Sequence, residues 1–219
     1  MTDFSMPVEL ALFPLRTVLF PQGYLPLQIF EVRYLDMVGK CFKAGAPFGV
    51  VTLEQGDEVR PAPGELGTRE GSEQIVFHAV GTLAQITHLS RPRPGLLLIQ
   101  CLGQQRFRLQ QRSLLPSGLW VGEVQPLAPD ASAPVPPDLQ PVARALQRVV
   151  QRLTEQETPA AEMPMQPPYR FDDCTWVANR WCELLPMTLP ERHRLMTLDN
   201  ALIRLELVSD LLEQHGIPL

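Results

Sequence analysis

The chain reads as an α+β protein: a compact β-barrel with one helix, followed by a C-terminal four-helix bundle. Three observations predict this. Residues 12–34 (LFPLRTVLFPQGYLPLQIFEVRY) hold short apolar runs broken by Pro14, Pro21 and Pro26. Runs of that length suit strands rather than helices, and proline is tolerated at strand edges, starts and bulges. The apolar text then keeps a strand-like character to about residue 126 and takes up helical three- and four-residue spacing afterwards. Between the two halves, six of the 23 prolines fall from Pro126 to Pro141, which marks a linker. The predicted division is a barrel over 1–126, a proline-rich linker over 127–137 and a helical subdomain over 138–219.

Taken in order, Glu9–Phe13, Val18–Phe20 and Leu25–Ile29 read as strands. A helix is expected over Glu31–Phe42, with Leu35, Val38 and Phe42 as its buried face and Gly45 and Pro47 ending it. The β-branched run Phe48–Leu53 fits a buried strand. Residues 54–74 are charged, rich in Gly and Pro and aperiodic, so they read as a long loop. Val76–Leu89 and Leu96–Leu102 form a hairpin around Arg91-Pro92-Arg93-Pro94-Gly95. Gln105–Leu115 and Trp120–Val124 complete seven or eight strands, which closure into a barrel would free of exposed edges.

In the second half, Asp138 is the expected N-cap of a helix carrying Leu139, Val142, Ala143, Leu146, Val149, Val150 and Leu153 on one face. A second helix follows Asp172-Asp173. Thr188-Leu189-Pro190-Glu191 has capping-box spacing and starts a short third helix. A fourth begins at Asp199, with Leu202, Leu205, Val208, Leu211 and Leu212 on one face, and ends at Gly216 and Pro218. Facing apolar stripes of this kind make a small bundle.

Charge and cysteine content narrow the function. Residues 1–125 balance 11 Lys+Arg against 11 Asp+Glu, whereas residues 126–219 carry 8 against 13, which accounts for the net −5. This opposes general nucleic-acid binding, which needs concentrated positive charge. Cys41, Cys101, Cys174 and Cys182 form no CxxC pair and sit in apolar text, as reduced, buried thiols of a cytoplasmic protein do. The N-terminus has no signal-peptide pattern, and no stretch approaches the roughly 20 apolar residues of a membrane span. His78, His88, His193 and His215 lack metal-ligand spacing, so no metal or other cofactor is expected. No GxSxG elbow is present either.

Three ordered motifs point to a family. Leu12-Phe13-Pro14-Leu15-Arg16, Val18-Leu19-Phe20-Pro21 and Leu25–Tyr34 (LPLQIFEVRY) match the LPLR, VxFP and LPLxIFExRY steps that open the substrate-binding (LON) domain of the protease Lon. Gly81–Ile86, Gly103–Leu109, Val121–Val124 and the Leu184–Leu212 region resemble its later elements, so the likeness spans roughly Glu9 to Ile217. The resemblance implies a barrel related to the PUA fold, followed by a helical bundle, and a role in recognising polypeptides. It does not carry over ATP hydrolysis or proteolysis. There is no GxxxxGK[ST] loop, Gly39-Lys40 runs into Cys41, and Lys40 and Lys43 are the only lysines to offer a serine–lysine dyad. A non-catalytic binding protein for exposed hydrophobic or unfolded polypeptide is therefore expected, with a protease or chaperone component as candidate partner. The alternatives are a small-molecule or RNA-binding module, and a structural partner in a larger assembly.

Two sets of residues are candidates for the site. Phe20, Tyr24 and Phe30 fall near strand ends, where they either fill the core or form an apolar patch for extended peptide. Arg16, Glu31, Arg33 and Arg106 are charges in apolar text. They form either a polar pocket in the barrel mouth or a salt-bridge network tying the first helix to the barrel, with Tyr34 capping it. Arg91, Arg93, Arg106, Arg108 and Arg112 make either a basic stripe or a solvated sheet face.

Overall fold

The computed structural model of the chain describes residues 8–56, 75–159 and 162–219. The chain divides into two compact units, one of residues 1–21 and 25–128, the other of residues 22–24 and 129–219.

The first unit is a six-stranded sheet with one helix. The strands are β1 (Val8–Leu15), β2 (Tyr24–Ile29), β3 (Phe48–Gln55), β4 (Val76–Arg93), β5 (Leu96–Leu114) and β6 (Trp120–Pro126). Their order is β2-β5-β4-β3-β1-β6, and β5 also pairs with β6. The pairings thus run in a circuit from β5 through β4, β3, β1 and β6 back to β5, with β2 standing outside it on β5. β1 and β3 run parallel, with Leu12 opposite Gly49, and β1 and β6 antiparallel, with Leu10 opposite Gly122.

β1, β3 and the middle of β4 are buried on both faces, and alternation sorts the side chains of the circuit into two clusters. Phe13 and Leu15 of β1, Phe48 and Val50 of β3, Ala84 and Ile86 of β4, and Ile99 and Cys101 of β5 pack with α1 (Val32–Ala44). Leu10, Leu12, Val51, Leu53, Phe77, Leu83, Phe107 and Val124 pack on the opposite face. α1 ends at Gly45, whose left-handed φ of 62° lets the chain turn into β3.

Among the described residues six strands stand where seven or eight were expected, for two reasons. Val18–Phe20 is not a strand: a side-chain hydroxyl takes the Leu19 carbonyl, and another takes that of Thr17 just ahead of the segment. Thr82 Oγ1 donates to Leu19 O at 2.6 Å, and Thr52 Oγ1 to Thr17 O at 3.2 Å. Leu96–Leu102 and Gln105–Leu115 are one strand, since Gly103 continues β5 opposite Ala84. The predicted hairpin is tighter than its loop text implies. Arg93 pairs with Leu96 across a Pro94-Gly95 turn in which Gly95 has φ 76°. The predicted helical face is also rotated. Tyr34, Met37 and Val38 are the buried residues of α1, Leu35 is half-buried, and Phe42 is 45% exposed. Most of the predicted loop, residues 57–74, lies outside the described residues.

The second unit holds α2 (Gln140–Glu155), α3 (Cys174–Leu184), α4 (Leu189–Thr197) and α5 (Ala201–Gln214). α3 is central, with every residue from Cys174 to Cys182 buried. Asp173 caps it by accepting from Trp176 N at 3.0 Å, and Trp181 Nε1 donates to Val142 O of α2 at 3.1 Å. The capping box at Thr188 and Glu191 opens α4. Two N-caps differ from expectation. Asp138 falls in a 3-10 turn ahead of α2, and Asn200 rather than Asp199 caps α5, accepting from Leu202 N and Ile203 N. On α5, Leu205, Val208 and Leu212 are buried as expected, but Leu202 is exposed and Arg204 is buried.

Among the described residues no helix is long and apolar enough to cross a membrane, and no cluster of His, Cys, Asp and Glu is arranged to hold a metal ion. The four cysteines are unpaired. Burial pushes the thiols up, to about 12 for Cys101 and Cys182 and to about 11 for Cys174.

Candidate functional site

The start of α1 builds the site. Glu31 precedes the helix in extended conformation, and its carbonyl accepts from Tyr34 N and Leu35 N. Its carboxylate is turned to Arg33, 2.7 Å away, instead of capping the helix. Arg33 Nη1 also donates to Gly118 O at 2.9 Å, which ties the β5–β6 turn to the helix. Its guanidinium lies 4.5 Å from the centre of the Tyr34 ring. That ring stacks on Phe13 of β1 at 3.9 Å, and Phe13 meets Phe48 at 6.1 Å. Charge, cation–π contact and stacking therefore hold one aromatic wall in place.

That wall borders a pocket of about 200 Å³, lined by Phe13, Leu15, Ile29, Phe30, Tyr34 and neighbouring residues of β2. Phe30 is 55% exposed and Val32, the first residue of the helix, 74%. An aromatic and a branched aliphatic side chain thus stand in solvent where the chain passes from β2 into α1. β2 is the end strand of the sheet order, and Pro26 within it lacks a donor. The arrangement offers apolar contact area beside a strand end and contains no nucleophile–base pair.

The structure places the predicted residues unevenly. Phe30 is at the pocket mouth, and Glu31, Arg33 and Tyr34 form one contact group. Phe20 is fully buried, so it presents no recognition surface; the close approach of its backbone to Gly103 and the Thr82 bond to Leu19 draw it into the core. Tyr24, at the start of β2, is half-buried. Arg16 is exposed and donates to Gly56 O at 2.9 Å. Arg106 is buried in mid-β5, opposite Thr82.

The five arginines make no continuous stripe. Arg112 lies over the rings of Phe77 and Trp120, Arg106 is buried, Arg108 is exposed opposite Val80, and Arg91 and Arg93 stand at the hairpin tip. Val32 was not legible as a site residue. The signal available was an apolar side chain between Glu31 and Arg33, off the predicted buried face.

The comparisons with known proteins agree with this architecture. The profile of the ATP-dependent protease La (LON) substrate-binding domain matches residues 9–214, and the chain belongs to that family. Its role in general is substrate recognition. No curated protein sequence matches the chain. Among solved structures, the Lon N-terminal domain protein from Xanthomonas campestris is similar, at 28% identity with a TM-score of 0.67. The alignment covers 93% of this chain and 98% of that one. The N-terminal domain of the Mycobacterium avium complex Lon protease shares the fold, at 14% identity and a TM-score of 0.58, over 95% of this chain and 100% of that one.

Proposed function

We infer that this chain is a non-catalytic binding protein that takes exposed hydrophobic segments of unfolded polypeptide. Family membership supports polypeptide recognition in general. The observation that carries the finer reading is the pocket at the junction of β2 and α1, with Phe30 exposed in its lining and Val32 exposed two residues further along the chain. An extended segment adds alongside β2 through main-chain hydrogen bonds and seats an apolar side chain against Phe30, Leu15 and Tyr34. The circuit of strand pairings supports reading residues 1–126 as a small PUA-like barrel. The mutual packing of α2–α5 supports reading residues 138–219 as a four-helix bundle beyond a linker at 127–137. Phe30 is the contact residue in this reading, and Glu31, Arg33 and Tyr34 hold it in position.

The test is fluorescence anisotropy with a reduced, carboxymethylated model protein that cannot fold. Phe30→Asp is expected to weaken binding about tenfold or more, since burying a phenylalanine is worth about 1.5–3 kcal/mol. Raising salt should leave wild-type affinity for an apolar peptide without charged residues nearly unchanged. Unaltered binding by Phe30→Asp would overturn the site. Binding of RNA with a steep salt dependence, and no polypeptide binding, would favour the alternative module.

A further inference from the structure

A second cleft lies on the other side of the start of α1, at the tip of the β4–β5 hairpin. Its volume is about 560 Å³. Leu35 and Asp36 of α1 form one side, and Arg91, Arg93, Pro94 and Leu97 of the hairpin the other. The tight Pro94-Gly95 turn holds both arginines at the tip, where they are exposed. Among the described residues neither takes part in an ion pair. Two guanidiniums with no ion pair among the described residues therefore flank an aliphatic floor supplied by Leu35 and Leu97. Asp36 repels acids from the helix side, which leaves the hairpin side as the place for negative charge.

We propose that this cleft binds acidic, aliphatic polypeptide segments, with carboxylates on Arg91 and Arg93 and an aliphatic side chain on Leu35 and Leu97. This deepens the polypeptide-binding reading and rests on it. Tyr34 lines the first pocket and Leu35 the second, so one extended client running past the start of α1 meets an apolar pocket and then a cationic cleft. The preferred client combines an exposed hydrophobic residue with nearby acidic ones. The chemistry favours polypeptide over nucleic acid. No aromatic residue is among the described residues lining the cleft, so bases find no stacking platform, and Asp36 opposes a phosphate backbone.

The test uses the full chain and three labelled peptides that share one apolar sequence and differ only in carrying Glu, Gln or Lys at the flanking positions. A single-stranded RNA oligomer is titrated alongside. The Glu peptide is expected to bind about tenfold more tightly than the Gln peptide at low salt, as two exposed charge pairs allow, with the gap closing at high salt. The Arg91→Gln, Arg93→Gln double variant should abolish the gap while leaving affinity for the Gln peptide unchanged. Its thermal midpoint reports whether the hairpin is intact, and Arg91→Lys, Arg93→Lys should keep the gap. Equal binding of all three peptides overturns this inference alone, and binding of none overturns the polypeptide reading as well. RNA binding lost in the Gln variant, without a peptide gap, assigns the cleft to nucleic acid and also overturns it.

Discussion

A Cβ built on Gly103 would lie 2.1 Å from the carbonyl oxygen of Phe20, and one on Gly81 would lie 2.4 Å from that of Val50. Both neighbours are backbone, so neither can move aside cheaply. Gly103→Ala is therefore expected to destabilise the protein by about 2–3 kcal/mol or more, read as a lower urea midpoint at unchanged slope. A neutral result would mean that the Phe20 segment is not held against β5. Glu183 gives a different residue-scale prediction. Its carboxylate lies 2.8 Å from Arg180 Nε, yet burial pushes its pKa up to about 7, against the pull of Arg180 and Arg192. A carboxyl that binds its proton more tightly when folded contributes full stability below its unfolded pKa. That contribution is lost as pH rises through the folded value, about 7. The stability of wild type relative to Glu183→Gln should thus fall between about pH 5 and about pH 8, by at most ~3 kcal/mol. Denaturant midpoints at the two pH values check it, and a constant difference would contradict it.

At the scale of elements, the C-terminal helices are held by a buried arginine. Arg204 of α5 donates to Asp130 Oδ2 at 2.6 Å, to Asn179 Oδ1 of α3 at 2.8 Å and to Leu195 O of α4 at 2.9 Å, and it also bonds Leu198 O. One side chain thereby joins three helices to the segment that precedes them. Arg204→Met leaves the Asp130 carboxylate buried without its cation and should cost about 3–5 kcal/mol, measured by thermal or urea unfolding. Asp130→Asn with Arg204→Met should recover part of that loss. The sequence carried this helix but not its centre. Leu205, Val208 and Leu212 were legible from spacing, whereas an arginine inside ALIRLELV reads as solvated unless its partners are known, and Asp130 is far away in sequence. α1 shows the same limit. Spacing located the helix and its glycine stop, but Leu35, Val38 and Phe42 are an equally good stripe by period alone. The stack of Tyr34 on Phe13 decides which face is buried. Val18–Phe20 looks like a strand because its apolar text is strand-like, and only the hydroxyls of Thr82 and Thr52 show that the carbonyls of Leu19 and, just ahead of the segment, Thr17 are taken.

For the whole molecule, the strand unit and the helical unit each have their own core, and the family match runs across both, from residue 9 to 214. The motifs that carried the family likeness are largely architectural: Gly81 and Gly103 occupy places where a Cβ would strike backbone, and Phe107 packs against Gly81. Of the candidate site, Phe30, Glu31, Arg33 and Tyr34 were legible because one motif contains them all. Phe20 stayed open between core and patch because a buried aromatic and an exposed one read alike next to proline. The central claim is that an unfolded client lies along β2 and the start of α1. Hydrogen–deuterium exchange on the full chain, with and without saturating carboxymethylated client, tests it most directly. The account predicts added protection in Leu25–Ile29 and the first turn of α1, with α5 unchanged. Protection confined to α5 or to other parts of the helical unit, or none anywhere despite demonstrated binding, would contradict it.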